Sequence, residues 1–189
     1  MKESTRARCR VFTVVAATIA AFAYFLSPLP ASAESADEAA QRNSLEIRGD
    51  VQKTRAWSLD DVKKEFAGEI KTVKSTFGPE KEERTSTGIP LFLLLKATGL
   101  KMEKSPKHYD LSFIVIVEAH DGYRVYFTFA ELAEGAKENP VLLVWEENGK
   151  PIPDAERPFR LRAGSNDRSI FGIKRVTLVD GVKLANSLK

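Results

Sequence analysis

The sequence predicts an α+β fold with a mixed sheet and short helices, and three observations carry that prediction. The stretch Phe113 to Phe129 reads as strand, tight turn, strand and helix start in immediate succession. Turn dipeptides, Asp121-Gly122 and Asn148-Gly149, separate runs of strand-forming residues, as in antiparallel hairpins. Helical signals are brief and irregularly placed, without the strand–helix alternation of a parallel doubly wound sheet. There is no internal repeat and no second apolar core, and a chain of 189 residues is long enough for one ordinary domain.

The opening segment has a different logic. Lys2, Arg6, Arg8 and Arg10 form a basic start, Val11 to Leu26 is an uncharged apolar run, and Ala31-Ser32-Ala33 is an A-x-A site. Those parts in that order make a secretory signal over residues 1–33, cleaved after Ala33. The competing reading is an uncleaved anchor, which would be the only membrane contact. The apolar run is shorter than the ~20 residues of a spanning helix, which favours cleavage. No cysteine follows the run, which argues against a lipoprotein. The implied address is periplasmic or secreted. Residues 34–43 are polar and Ala-rich and read as a flexible leader, with the domain occupying 44–189.

Within the domain, Ser44 to Ile47 reads as a first strand ended by Gly49-Asp50. Ser58-Leu59-Asp60-Asp61 is a helix start with capping chemistry, and Gly68 stops that helix. Ile70 to Phe77 alternates without a clean apolar face, as an edge or site-facing strand does. Gly78 to Gly88 reads as a charged loop lacking an apolar anchor. Pro90 suits a first helical turn, with Leu91, Leu94 and Leu95 as its apolar stripe and Gly99 as its stop. Lys101 to Lys107 is a basic surface loop.

Phe113 to Val117 is a continuous apolar, β-branched run, as in a strand buried on both faces. After Asp121-Gly122, Tyr123, Val125, Phe127 and Phe129 share one side, and Arg124, Tyr126 and Thr128 the other. Thr128 and Glu131 form a capping box for a helix closed by Gly135. Val141 to Trp145 is a buried-type strand leading to the Asn148-Gly149 turn. Pro151, Pro153 and Pro158 keep the next segment extended and out of a central ladder. Phe159 to Arg162 alternates apolar and basic residues, Ala163 to Ser169 is a polar loop, and Ile173 to Val179 is the last strand before a short tail.

Composition excludes several function classes. The whole chain has 29 basic and 26 acidic residues. Four of the basic and one of the acidic residues lie in 1–33, so cleavage leaves 25 of each and no net charge. A nucleic-acid partner needs a basic excess that the mature chain lacks. The only cysteine is Cys9, inside the signal, so the mature chain has no disulfide, thiolate nucleophile or thiolate metal ligand. With His108 and His120 alone, a histidine-rich metal site is excluded by count. A hydrolase finds little support, since no G-x-S-x-G elbow is present. Glu118 and Asp121 remain a candidate acid–base pair.

The order of motifs resembles the molybdopterin-binding domain of the sulfite oxidase family. Leu45-Glu46-Ile47-Arg48-Gly49 is followed by Ser58-Leu59-Asp60-Asp61 and Gly88-Ile89-Pro90-Leu91. Ala119-x-Asp121-Gly122-Tyr123, Asn148-Gly149-x-Pro151 and Pro158-x-Arg160-Leu161 come next. Asp167-Arg168 and Ile173-Lys174-Arg175-Val176 close the series. The resemblance implies a sulfite oxidase-type fold and a pocket for an anionic pterin phosphate. It places Arg160, Arg168 and Lys174 near that cofactor, since an Arg fork grips phosphate and Lys adds a point charge. It also puts His120 and Asp121 beside the pocket, though Asp121 reads as a turn former ahead of a base.

Two departures follow from the same resemblance. Catalytic members hold molybdenum through a cysteine at or just after the strand corresponding to Ile70–Phe77, where Ser75 and Thr76 stand here. A hydroxyl is a poor substitute for a thiolate on this metal. The family's tryptophan in the closing segment is Gly172 in this chain. Two functions are therefore expected. One is an oxidoreductase subunit that binds molybdopterin without a cysteine ligand. The other is a non-catalytic module of the same fold that has lost the metal and binds a small anion or a partner protein.

Overall fold

The computed structural model describes residues 43–77, 82–101, 109–135, 138–163 and 168–188, all within the compact unit Ala36–Lys189. The expected signal (1–33), residues 34–42 of the expected leader and residues 102–107 of the basic loop lie outside the described residues. Among those described, no helix is long and apolar enough to cross a membrane.

The chain is α+β, built on two sheets. The first has the order β2-β1-β11-β5-β6, from β1 (Ser44–Gly49), β2 (Arg55–Ser58), β5 (Phe113–Ala119), β6 (Arg124–Thr128) and β11 (Ile173–Asp180). β1 runs parallel to β11 and the other pairs are antiparallel. The second has the order β10-β9-β7-β4-β3. Its strands are β3 (Lys71–Phe77), β4 (Glu82–Pro90), β7 (Leu142–Glu147), β9 (Arg160–Ala163) and β10 (Arg168–Ile170). β8 (Lys150–Pro151) pairs onto β7. The helices are α1 (Leu59–Glu65), α2 (Leu91–Thr98), α3 (Phe129–Gly135) and α4 (Gly181–Ser187).

Local chemistry explains the ends of these elements. The Ser58 hydroxyl accepts from the Asp61 N–H and the Asp61 carboxylate accepts from the Ser58 N–H, closing the box that starts α1. The Thr128 hydroxyl accepts from the Glu131 N–H at 3.1 Å at the start of α3. Asn148 and Gly149 both hold positive φ, 51° and 73°, as a two-residue hairpin turn requires. Gly122 at φ 86° turns β5 into β6, and the Asp121 carboxylate accepts from the Tyr123 N–H at 2.9 Å.

One buried cluster joins the inner faces of both sheets. Leu45, Ile47, Val115, Val117, Val176 and Leu178 enter it from the first sheet. Ile89, Leu143, Trp145 and Leu161 enter from the second, with Leu91, Leu94 and Leu95 of α2. A small second cluster, Leu142, Val144 and Ile152 with Val73 against it, lies on the opposite face of the second sheet.

Five expectations are corrected. Residues 82–88 of the expected charged loop belong to β4, paired from Phe77↔Glu82 to Lys71↔Gly88. Its outer half carries polar residues because it is held by the backbone ladder and by Thr72–Thr87 hydroxyl contact rather than by apolar packing. β5 is not buried on both faces. Ile114 and Ile116 are half-buried because the outer face of the first sheet opposes them with Thr177, Val179 and the exposed Tyr126. Tyr123 is exposed rather than packed with Val125 and Phe127, since it sits before β6 begins. The polar loop after Ala163 contains β10, and the tail folds as α4, capped by the Asp180 carboxylate on the Val182 and Lys183 N–H groups.

Candidate functional site

The second face of the second sheet gathers the strongest polar features. On β9 the side chains alternate, so Phe159 and Leu161 enter the core while Arg160 and Arg162 share the opposite face. Leu142 stands opposite Arg162, and Val144 opposite Arg160. The two arginines are 8% and 5% exposed, an unusual depth for such side chains.

Arg160 is held by the chain itself. Its Nη1 meets Glu147 Oε2 at 2.8 Å, and its Nε and Nη2 meet Glu156 Oε2 at 2.8 and 2.5 Å. Its guanidinium carbon lies 4.8 Å from the Phe171 ring centre. Burial works against its charge, but the hydrogen bonds to Glu156 and Glu147 outweigh burial and hold its pKa above the ordinary value.

Arg162 has a different setting. It lines a cavity of about 180 Å³ with Val73, Ser75, Thr76, Asn139 and Leu142. Lys74, Glu138 and Pro140 complete the described wall. Ser75 and Thr76 reach it because β3 is the edge strand, opposite Arg84 and Glu83 of β4. Asn139 and Pro140 reach it from the segment after α3, where the Asn139 N–H donates to the Gly135 carbonyl at 3.1 Å.

Lys174, His120 and Asp121 lie around the β5–β6 turn of the first sheet. Lys174 Nζ is 2.8 Å from Glu118 Oε1, and Arg124 Nε is 3.0 Å from Glu118 Oε2. Glu46, Arg175, Glu118 and Arg124 stand side by side across β1, β11, β5 and β6, an alternating charge ladder. The hydrogen bond from Lys174, ahead of the opposing effect of burial and the bond from Arg124, holds the Glu118 carboxyl below its usual range. Glu118 is thereby a poor general acid near neutrality, and Asp121 is engaged in its turn.

The His120 N–H donates to the Gly172 carbonyl at 2.9 Å, and its side chain is exposed. Gly172 holds φ at 60°, and a Cβ there would lie 3.2 Å from His120 Cδ2 and 3.3 Å from the Ala155 carbonyl oxygen. A tryptophan at this position would be strained in this backbone. Arg168 lies in β10 opposite Ala163, and its side chain is outside the described residues.

The expected site residues thus fall into separate groups. Ser75 and Thr76 meet at the cavity. Arg160 is shared between Glu147 and Glu156, and His120 is tied by its backbone N–H to the Gly172 carbonyl. Lys174 and Asp121 belong to the first sheet's turn end. The residue that sequence reasoning missed is Arg162, whose signal was its same-face spacing from Arg160. A larger cavity of about 510 Å³, walled by Asp60, Lys63, Trp145, Arg157 and Pro158 among others, contains none of the expected residues. Among the described residues no group of three or more His, Cys, Asp or Glu side chains is placed to hold a metal ion.

No family model matches this chain, and no curated protein matches it.

Proposed function

We propose that this chain is a non-catalytic, exported binding module of the sulfite oxidase-type molybdopterin-binding fold, which has lost the metal chemistry and takes a small anion. The observation that carries this reading is how the cations expected at the pterin phosphate are held. Arg160 and Lys174, the residues that would grip a pterin phosphate, are engaged by Glu147, Glu156 and Glu118 at hydrogen-bond distance. A phosphate arriving there would meet carboxylates that already hold the positive charge. Arg162, buried on the same face of β9, lines a cavity.

Two further points support the module over a molybdopterin enzyme. Ser75 and Thr76 offer hydroxyls where a soft metal would require a thiolate. The cavity they line, about 180 Å³ as bounded by the described residues, is below the ~300 Å³ at which pockets for larger organic ligands begin. The signal over 1–33 gives the module a periplasmic or secreted address.

The test is the molybdenum and pterin content of the protein exported by a host that makes the cofactor. Elemental analysis reads the metal, and fluorescence of the oxidised pterin reads the organic part. The module predicts neither. Near one of each per chain, or pterin alone at that ratio, would overturn it.

A further inference from the structure

We propose that the open edge of β6 pairs with the β6 edge of a second copy of this chain, antiparallel about Tyr126, joining two first sheets into one. This surface is independent of the anion-binding reading.

β6 is last in the order of the first sheet, and among the described residues no strand lies on its far side. The hairpin fixes which backbone groups are left there. The Ala119 N–H donates to the Tyr123 carbonyl at 2.9 Å. Bonded and non-bonded pairs alternate along an antiparallel ladder. In the register of β5 and β6, Val117↔Val125 and Val115↔Phe127 are therefore the bonded pairs. Arg124 and Tyr126 turn their N–H and C=O groups outward, and Thr128 turns out its N–H.

The other three sheet edges carry guards that β6 lacks. β2 has four residues and β10 three, which is little ladder to pair with. β3 is longer but carries Lys71 and Lys74. β6 contains no proline, and its register with β5 runs without a bulge. Its single charge, Arg124, is already met by Glu118 at 3.0 Å. An edge of this kind is a template for another strand.

The residues of β6 say which strand. Arg-Val-Tyr-Phe-Thr is complementary to itself when run antiparallel about its centre. Tyr126 then faces Tyr126 of the second copy and exchanges both backbone bonds with it. Val125 faces Phe127, and Phe127 faces Val125, the aromatic and β-branched pairs that stabilise sheets. Both are only half-buried against the core of one chain, so pairing withdraws more of them from water. Arg124 faces Thr128, so no like charges oppose each other. On the outer face, Tyr126 is 64% exposed and ends the row of Thr177, Ile116 and Tyr126, which pairing continues across the axis.

The experiment is sedimentation velocity and amide hydrogen exchange on the exported protein. A range from about 5 µM to about 1 mM brackets the Kd, on the order of 0.1 mM, expected of an interface below standard size. The Tyr126 amide exchanges fast in dilute protein and slows roughly fivefold at the highest concentration, whereas Val125 and Phe127 are protected throughout. Tyr126→Lys and Tyr126→Glu each set like charges face to face at the axis and weaken association roughly tenfold. Mixed in equal amounts, the two variants associate again, because an ammonium then faces a carboxylate. Tyr126 is exposed, so both keep the β5–β6 ladder, read from the protected Val125 amide.

A chain that stays monomeric at the highest concentration overturns the proposal and leaves the edge to an extended segment of another protein. Association that Tyr126→Lys leaves unchanged belongs to another surface and overturns it too. So does a mixture of the two variants that associates no better than either alone. A Tyr126 amide protected at every dilution would mean that the edge is covered within one chain, and would equally refute the pairing.

Discussion

Arg160→Ala separates a structural cation from a ligand-binding one. The substitution removes a guanidinium that is 8% exposed and leaves two carboxylates, Glu147 and Glu156, whose side chains are 24% and 19% exposed. Breaking a fully buried pair costs about 3–5 kcal/mol because the surviving charge is stranded, whereas an exposed pair contributes about 0–1 kcal/mol. These carboxylates are mostly but not wholly buried, and Glu147 keeps Arg84 Nη1 at 3.8 Å. The loss should therefore fall at about 2–3 kcal/mol. For a chain of this size that is roughly 4–12 °C in Tm. Urea unfolding reads it as a lower midpoint at unchanged slope. Replacing all three partners together, Arg160→Met with Glu147→Gln and Glu156→Gln, should recover at least half of the loss, because no charge is left unpaired. A loss below about 1 kcal/mol, or a triple variant no more stable than Arg160→Ala, would refute the structural role. It would return Arg160 to the pterin reading, since a cation kept for a ligand adds little to the empty fold.

Two other predictions bear on the scaffold. Glu118 is held below the usual carboxylate range in the fold, chiefly by Lys174, so the unfolded chain binds more protons than the folded one between the two pKa values. Stability must rise with pH there, so the wild-type advantage over Glu118→Gln is full above about pH 5 and shrinks as pH falls through the folded value. Chemical unfolding across pH 3–7 reads it, and an advantage that does not change with pH would contradict the ladder. Gly49 holds φ at 98°, and a Cβ there would run into the Leu178 carbonyl oxygen beside the β1–β11 ladder. Gly49→Ala should cost roughly 2–4 kcal/mol by strain and overpacking together, read by urea unfolding, and a loss under about 1 kcal/mol would show that the strand can shift freely.

The elements legible in the sequence are those whose signals are local. The Ser58 and Thr128 caps, the Asp121-Gly122 and Asn148-Gly149 turns and the Leu91–Leu95 stripe each act within a few residues, and the structure forms all of them. β4 was not legible because its outer half has no apolar face. Its strand identity comes from β3 and β7 on either side, partners that a residue pattern does not display. α4 was missed for a related reason. Its cap is Asp180, a residue that also ends β11, and the seven residues after it are too few to show helical periodicity. The candidate site divides the same way. Charge is visible in a sequence, but counter-charge is not, and Glu147 and Glu156 reach Arg160 from two different segments.

The two arginines of β9 make that point chemically. They are two residues apart, share one face and are buried to the same depth, so β-strand geometry alone assigns them the same role. What differs is the adjoining row. Beside Arg160, β7 has passed Val144 and its bulge and presents Glu147, while the turn Asp154–Glu156 folds a second carboxylate over it. Beside Arg162, the strand is at Leu142, and the segment before it contributes Asn139 and Pro140. The first cation is thus closed by the chain's own acids and rigidifies the join between β7 and β9. The second lines a cavity whose described wall mixes Ser75, Thr76 and Asn139 with Val73 and Leu142 and with the charged Lys74 and Glu138, so two cations on one face of one strand stand in different surroundings.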